Sequence, residues 1–217
     1  MSAEQPLVFR WGIISSGWIA SQFVKDLLED PKIRDVHDVV HKVVAVGSRS
    51  AESAQKFIDT HASGDKTAKA YGSYAEVYAD PDVDAVYIGT PHAFHYTNSK
   101  DAILAKKHVL VEKPATSNAA EWRSLVALAK ENNVFLMEAM WTRFHPAALA
   151  VRRVIDEGKL GDIVMVHADL SGDFDIDNIP KTHRILDPRL GGGALLDLGP
   201  YPLVWVRSFP FSDPTSR

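Results

Sequence analysis

The chain has no cysteine among its 217 residues, which excludes disulfides, thiol catalysis and cysteine metal sites and allows a reducing compartment. It also lacks a strong charge of either sign. A net charge of -4 with nine histidines gives no basic field for nucleic acid and no polybasic patch for an anionic membrane, so small molecules are the favoured partners. No apolar run approaches membrane-spanning length, and Met1 to Arg10 lacks a cationic-then-apolar signal, so the expected location is the cytoplasm. What is present, 46% hydrophobic and 24% charged residues, is ordinary for a globular chain of one large domain or one and a half.

The stretch Val109-Leu110-Val111-Glu112-Lys113-Pro114-Ala115-Thr116 organises the rest: an apolar strand runs directly into an ion pair and a proline. Open α/β sheets keep their ligands at strand carboxyl ends, which makes Lys113 the first catalytic candidate. Pro114 fixes its own φ and keeps Lys113 out of the helical region, presenting the lysine from a stiff corner. The alternative is a strand-end charge pair followed by a turn proline.

Upstream, Leu7 to Ile14 reads as a strand, and Ile19, Ala20, Phe23, Val24 and Leu27 recur at helical spacing after the turn. That turn fits a dinucleotide fingerprint of the G-x-G-x-x-A kind, with Ser15 in the first position, Gly17 in the second and Ala20 in the third. Ser15, Ser16, Gly17, Trp18 and Ile19 are therefore cofactor-binding candidates. His41 to Gly47 reads as the second strand, followed by Ser48-Arg49-Ser50. This segment has no carboxylate to hold a ribose 2′-hydroxyl, whereas a hydroxyl followed by a guanidinium suits a 2′-phosphate, so Ser48 and Arg49 favour NADP over NAD. An exposed serine-arginine loop is the competing interpretation.

Helical spacing follows from Ala51 to Thr60, then a polar linker, Ala62 to Ala70, containing Gly64. Ser73 with Glu76 has capping-box spacing, Asp84 to Gly89 reads as a strand, and Thr90-Pro91-His92 leads into a helix to about Lys106. His92 and His95, three apart, are placed to face the nicotinamide or the substrate; no nearby carboxylate completes a metal site, and none is expected. Asn118 and Glu121 cap a helix to about Asn132, and Phe135 to Met140 forms a further strand. Five strand-and-helix alternations call for a parallel, doubly wound sheet over residues 1–140. Trp141 and Arg143 follow, at a ligand-facing end or at a domain hinge.

Residues 141–217 read as a second, incomplete α+β domain. A helix begins at His145-Pro146 and stops at Gly158, and Ile163 to Asp169 reads as a strand. The loop from Ser171 to Leu190 is long and charged, as in a lid or a disordered segment, and carries His183, Arg184 and Asp187. Gly191-Gly192-Gly193 precedes a helix, Ala194 to about Arg207, on which Asp197 and Tyr201 share one face.

Glu112-Lys113-Pro114, together with Gly191-Gly192-Gly193, Asp197 and Tyr201, resembles the motif set of the Gfo/Idh/MocA oxidoreductase family across Leu7 to about Val206. Tyrosine stands where many members carry histidine. With Ser15 and the stretch Gly193 to Tyr201, that substitution is most similar to the NADP-dependent D-xylose 1-dehydrogenases and the dimeric trans-dihydrodiol dehydrogenases of the family.

The resemblance implies a Rossmann NADP-binding domain and hydride transfer from a sugar, D-xylose to its lactone, or from a trans-dihydrodiol. It implies a substrate lying between Lys113 and Tyr201, with Tyr201 as the base, the Lys113 cation favouring its phenolate, and Asp197 holding Lys113 or a sugar hydroxyl. It places Thr90, Pro91, His92, His95, Glu112, Lys113, Trp141 and Arg143 around cofactor or substrate. Family members continue into a large sheet that carries their homodimer interface, so the expectation here is a C-terminally truncated copy with doubtful dimerisation. A non-catalytic NADP-binding remnant is the alternative function.

Overall fold

The computed structural model describes residues 5–62 and 67–208; Met1 to Glu4, Gly64 of the expected linker and the tail from Phe209 lie outside the described residues. Six strands, β1 Leu7–Ile14, β2 Val39–Gly47, β3 Lys69–Tyr71, β4 Ala85–Ile88, β5 His108–Glu112 and β6 Leu136–Ala139, form one sheet in the order β3-β2-β1-β4-β5-β6. The pairings of β1 with β2 and β4, of β2 with β3 and of β4 with β5 are parallel. The Val109 N–H donates to the Phe135 carbonyl at 2.8 Å where the chain leading into β6 lies beside β5. Chain order reverses between β1 and β4, the place where a doubly wound sheet opens its ligand crevice.

The helices are α1 Trp18–Leu27, α2 Ala51–His61, α3 Tyr74–Ala79, α4 His95–Leu104, α5 Ala119–Asn132, α6 Pro146–Asp156, α7 Ala194–Asp197 and α8 Pro200–Ser208. The central strands are apolar on successive residues because helices cover both faces of the sheet: Ile13, Ile14, Val86, Tyr87 and Ile88 are all fully buried. Both expected caps form. The Glu76 N–H donates to Ser73 Oγ at 3.4 Å and that hydroxyl donates to Glu76 Oε2 at 2.7 Å, while the Glu121 N–H donates to Asn118 Oδ1 at 3.0 Å.

Register sets the functional edge. Ile14 lies opposite both Gly47 and Ile88, and Ile88 opposite Val111, so β1, β2, β4 and β5 finish level. The segments that follow them, beginning at Ser15, Ser48, Gly89 and Lys113, therefore leave the sheet along one edge. The Ser15 N–H donates to the Gly47 carbonyl and the Gly89 N–H to the Ile14 carbonyl, both at 3.0 Å, which ties three of these exits together.

Three expectations are corrected. The linker Ala62 to Ala70 ends in a strand, β3, whose three residues pair with β2; so short a ladder carries no periodicity of its own. Ile163 to Asp169 is not a strand, because the stretch has no ladder partner among the described residues. The helix expected from Ala194 to about Arg207 is two helices, interrupted at Leu198-Gly199 just before Pro200, which cannot donate to a preceding turn. The chain divides into two compact units between Glu138 and Ala139. No helix among the described residues is long and apolar enough to cross a membrane.

Candidate functional site

At the end of β1 the chain turns through Ser15, whose φ of 93° lies in the region that favours glycine, the residue usual at this fingerprint position. The serine is held there in part by its own side chain: the Gly17 N–H donates to Ser15 Oγ at 3.3 Å. Gly17 then caps α1 without a side chain, and the first turn carries no acidic residue. The helix thus presents backbone N–H groups and the positive end of its dipole with no built-in anion to compete. Gly17 and Trp18 are exposed beside this terminus, and Ile19 is half-buried.

The exit of β2 is coupled to this turn. Ser16 Oγ and Ser48 Oγ lie 2.8 Å apart, and Ser48 is buried. Ser50 caps α2, accepting from the Ser53 N–H at 3.2 Å, which leaves Arg49 exposed between two constrained serines. A guanidinium next to a fixed hydroxyl, with no carboxylate in the triplet, fits a phosphate better than a diol.

The exit of β4 is fixed from below by α4. Thr90, His95 and Asn98 are all buried: Asn98 Nδ2 donates to Thr90 Oγ1 at 3.1 Å, while His95 Nε2 lies 2.7 Å from the Thr90 carbonyl oxygen. His95 Nδ1 lies 2.8 Å from the carbonyl oxygen of Pro114. With 0% exposure and both ring nitrogens so placed, His95 faces inward, and the expectation that it faces the nicotinamide or the substrate is corrected. His92, in the short turn before α4, is half-buried, its ring centroid 5.7 Å from that of His95. Pro91 precedes it and is half-buried.

At the exit of β5 the Lys113–Pro114 peptide bond is cis. Glu112 turns inward rather than across the crevice: Tyr87 OH donates to its Oε1 at 2.7 Å and the Lys113 N–H to its Oε2 at 3.2 Å. Burial pushes the Glu112 carboxyl above the usual range, opposed by those two hydrogen bonds and the Lys113 charge and reinforced by Glu138. Glu138 in turn accepts from the Ala115 N–H at 3.0 Å. The two carboxylates therefore brace the corner on either side of Lys113 and Pro114.

In the second unit, Trp141 and Arg143 lie in a short helical turn; the Trp141 ring is 6.0 Å from His145 and 6.5 Å from Tyr201, centroid to centroid. Asp197 is buried and paired with Arg184, whose Nη1 donates to Oδ1 at 3.2 Å. The glycine run makes this pairing possible. A Cβ on Gly192 would lie within 2.8–3.0 Å of the carbonyl oxygens of Asp187, Ile185 and Arg184, and Gly193 has a φ of 112°. A small cavity of about 190 Å³ in this unit is lined by Thr142, Arg143, Ala148, Leu149, Arg152, Val204 and Trp205, and includes none of the fingerprint residues.

Tyr87, Asn98 and the Arg184–Asp197 pairing escaped the sequence. For Asn98 there was a signal, its i+3 spacing from His95; Tyr87 was hidden inside an apolar strand.

Residues 9–140 match the Gfo/Idh/MocA oxidoreductase family with its NAD-binding Rossmann fold, and residues 148–216 match the C-terminal domain of that family. The chain is 44% identical over 212 residues to the D-xylose 1-dehydrogenase (NADP(+)) of Hypocrea jecorina, covering 95% of this chain and 54% of that protein. It is 42% identical over 200 residues to the trans-1,2-dihydrobenzene-1,2-diol dehydrogenase of Bos taurus, covering 92% and 55%. Among solved structures, an NAD binding oxidoreductase from Klebsiella pneumoniae has a TM-score of 0.78 at 27% identity over 94% of this chain and 54% of that one. A 3-ketoreductase from Actinomadura kijaniata in complex with NADP and TDP-benzene has a TM-score of 0.73 at 29% identity over 94% and 57%. The chain spans about half the length of the curated relatives it matches, between 54% and 55%.

Proposed function

Since this chain belongs to the Gfo/Idh/MocA oxidoreductase family, we propose that it binds NADP and serves hydride transfer from a sugar such as D-xylose or from a trans-dihydrodiol. The observation that carries the cofactor choice is the Ser16–Ser48 hydroxyl pair at 2.8 Å beside the exposed Arg49. In this proposal the backbone N–H groups at the start of α1 hold the pyrophosphate, and Ser48 with Arg49 takes the 2′-phosphate. The bound nicotinamide would supply the hydride acceptor. Lys113 would stabilise negative charge developing on the substrate oxygen, and Tyr201 would accept the hydroxyl proton, its ring oriented in part by Trp141. Asp197, held by Arg184, would anchor the glycine segment or a substrate hydroxyl. A cysteine-free chain suits a reducing compartment, and the cytoplasm is the proposed location.

The test is an NADPH fluorescence titration followed by NADP⁺ reduction on D-xylose and on a trans-dihydrodiol. Binding with turnover that Tyr201→Phe lowers much more than NADPH affinity is the expected result. An unchanged rate in Tyr201→Phe removes the tyrosine from the mechanism, and binding without turnover leaves a nucleotide-binding protein. The name of the relative with the highest identity quoted above favours D-xylose as the first substrate to try.

A further inference from the structure

We propose that His95 is a positioning residue that locks the Lys113–Pro114 corner to the Thr90 turn, so that one buried ring sets the geometry of two adjacent strand exits. Three observations converge. Its two ring nitrogens lie 2.8 Å and 2.7 Å from the carbonyl oxygens of Pro114 and Thr90, residues that follow β5 and β4 and are 24 positions apart in the chain. The ring is fully buried, so no water competes for either carbonyl. One helical turn later on the same face of α4, Asn98 holds the Thr90 hydroxyl at 3.1 Å, so Thr90 is fixed through both its main chain and its side chain.

Chemistry explains why a histidine suits the position. Both targets are carbonyl oxygens, which only accept, so the neutral imidazole donates its one N–H to either of them while its rigid ring spans the gap, and the protonated ring donates to both. A leucine would fill the volume and leave both buried carbonyls without a donor, and a glutamine amide keeps a donor but lacks the rigid ring that spans the gap between them. The backbone of Lys113 is held on the other side by the Glu112 carboxylate and Ala115 by Glu138, so His95 completes a brace around the backbone of the lysine corner. The consequence for turnover rests on the role proposed above for Lys113; the positional role does not.

The test reads Lys113 directly. The protein is reductively methylated with ¹³C-formaldehyde, and the dimethyl-Lys113 resonance is assigned by its absence in Lys113→Arg. It is then compared in wild type, His95→Gln, His95→Leu and Ile103→Val, the last a truncation of a fully buried apolar residue on the same helix with no polar side-chain atom to offer a carbonyl. The expected order is a wild-type resonance in Ile103→Val, an intermediate displacement in His95→Gln and the largest in His95→Leu. Turnover, where present in wild type, should fall by about 10²-fold in His95→Leu, with kcat affected more than KM.

A Lys113 resonance in His95→Leu that coincides with wild type, or one displaced equally by Ile103→Val, overturns the proposal. If His95→Leu does not fold, His95→Gln decides alone: a displaced resonance supports the role and a wild-type one overturns it. If the wild-type protein binds no NADPH, the dehydrogenase assignment fails while the resonance still decides the role of His95.

Discussion

The Tyr87 hydroxyl donates to Glu112 Oε1 at 2.7 Å from a fully buried ring that stacks on Phe23 with centroids 3.9 Å apart. The stack ties α1, β4 and the end of β5 into one unit, so the carboxylate beside Lys113 is held by the core and not by the loop that carries it. Burial raises the Glu112 pKa from its ordinary value of 4.5, while the Tyr87 bond favours the ionised form. A carboxyl raised on folding retains its proton where the unfolded chain has lost it, so this group lowers stability as pH rises from 4.5 through the raised value, and adds no further slope above it. Tyr87→Phe should deepen that decline and cost about 1–3 kcal/mol at neutral pH. Urea midpoints between acid and neutral pH check this, and parallel wild-type and variant curves would refute it.

His95 titrates with the opposite consequence. Burial pushes its ring from 6.5 down to about 4, against the Pro114 and Thr90 carbonyls that favour the cation and with the nearby His92 and Lys113 charges that oppose it. The unfolded chain binds the extra proton in this window. Stability contributed by the neutral ring is therefore complete above pH 6.5 and lost as pH falls through about 4. The loss is on the order of 3 kcal/mol. Thermal midpoints measured downward from neutrality should fall less steeply in His95→Gln than in wild type; an equal or steeper fall would place a cation in the folded protein.

Ser15 provides a local test of backbone strain. At a φ of 93° a serine sits where glycine is at ease, and it recovers part of the cost through the Gly17 N–H at 3.3 Å. Ser15→Ala, which keeps the Cβ and loses the acceptor, should destabilise by about 1 kcal/mol. Ser15→Gly should be neutral or stabilising by up to about 1 kcal/mol, since strain relief offsets the lost bond. Calorimetry of the two variants side by side decides it; a more stable alanine variant would contradict the geometry.

Gly192→Ala meets three main-chain carbonyl oxygens that no side-chain rotation can move. The substitution should cost about 1–3 kcal/mol and displace the 184–187 segment, weakening the Arg184–Asp197 pair. Fluorescence of Trp141 and Trp205 during denaturation would report on the second unit; a variant that unfolds like wild type would show that the segment relaxes freely.

The fold was largely legible because parallel strands covered on both faces write themselves as apolar runs, and capping pairs such as Asn118 with Glu121 mark where helices begin. β3 was missed because three residues contain no period, and Ile163 to Asp169 was wrongly expected as a strand because alternation reveals a pattern but not the partner that must complete its ladder. At the candidate site, motif and position pointed to Gly17, Ser48, Arg49 and Lys113, which remain the proposed contacts. The inward turn of Glu112 and His95 could not be found that way. Whether a polar side chain near a strand exit faces the crevice or the core depends on which buried groups need partners, and those, Tyr87 OH and the Thr90 and Pro114 carbonyls, are brought together only by the folded sheet.

The Ser16–Ser48 pair has two hydroxyls and one hydrogen bond between them, and either oxygen can be the donor. Each arrangement leaves one proton free to point outward, from Ser48 in one and from Ser16 in the other. An anion arriving at one of these loops would choose the polarity of the pair and so reset the donor available at the other. The pyrophosphate and the 2′-phosphate proposed for these two loops would then be read jointly, and an exchange at Arg49 alone would not change the preference of one loop without altering the grip of its neighbour.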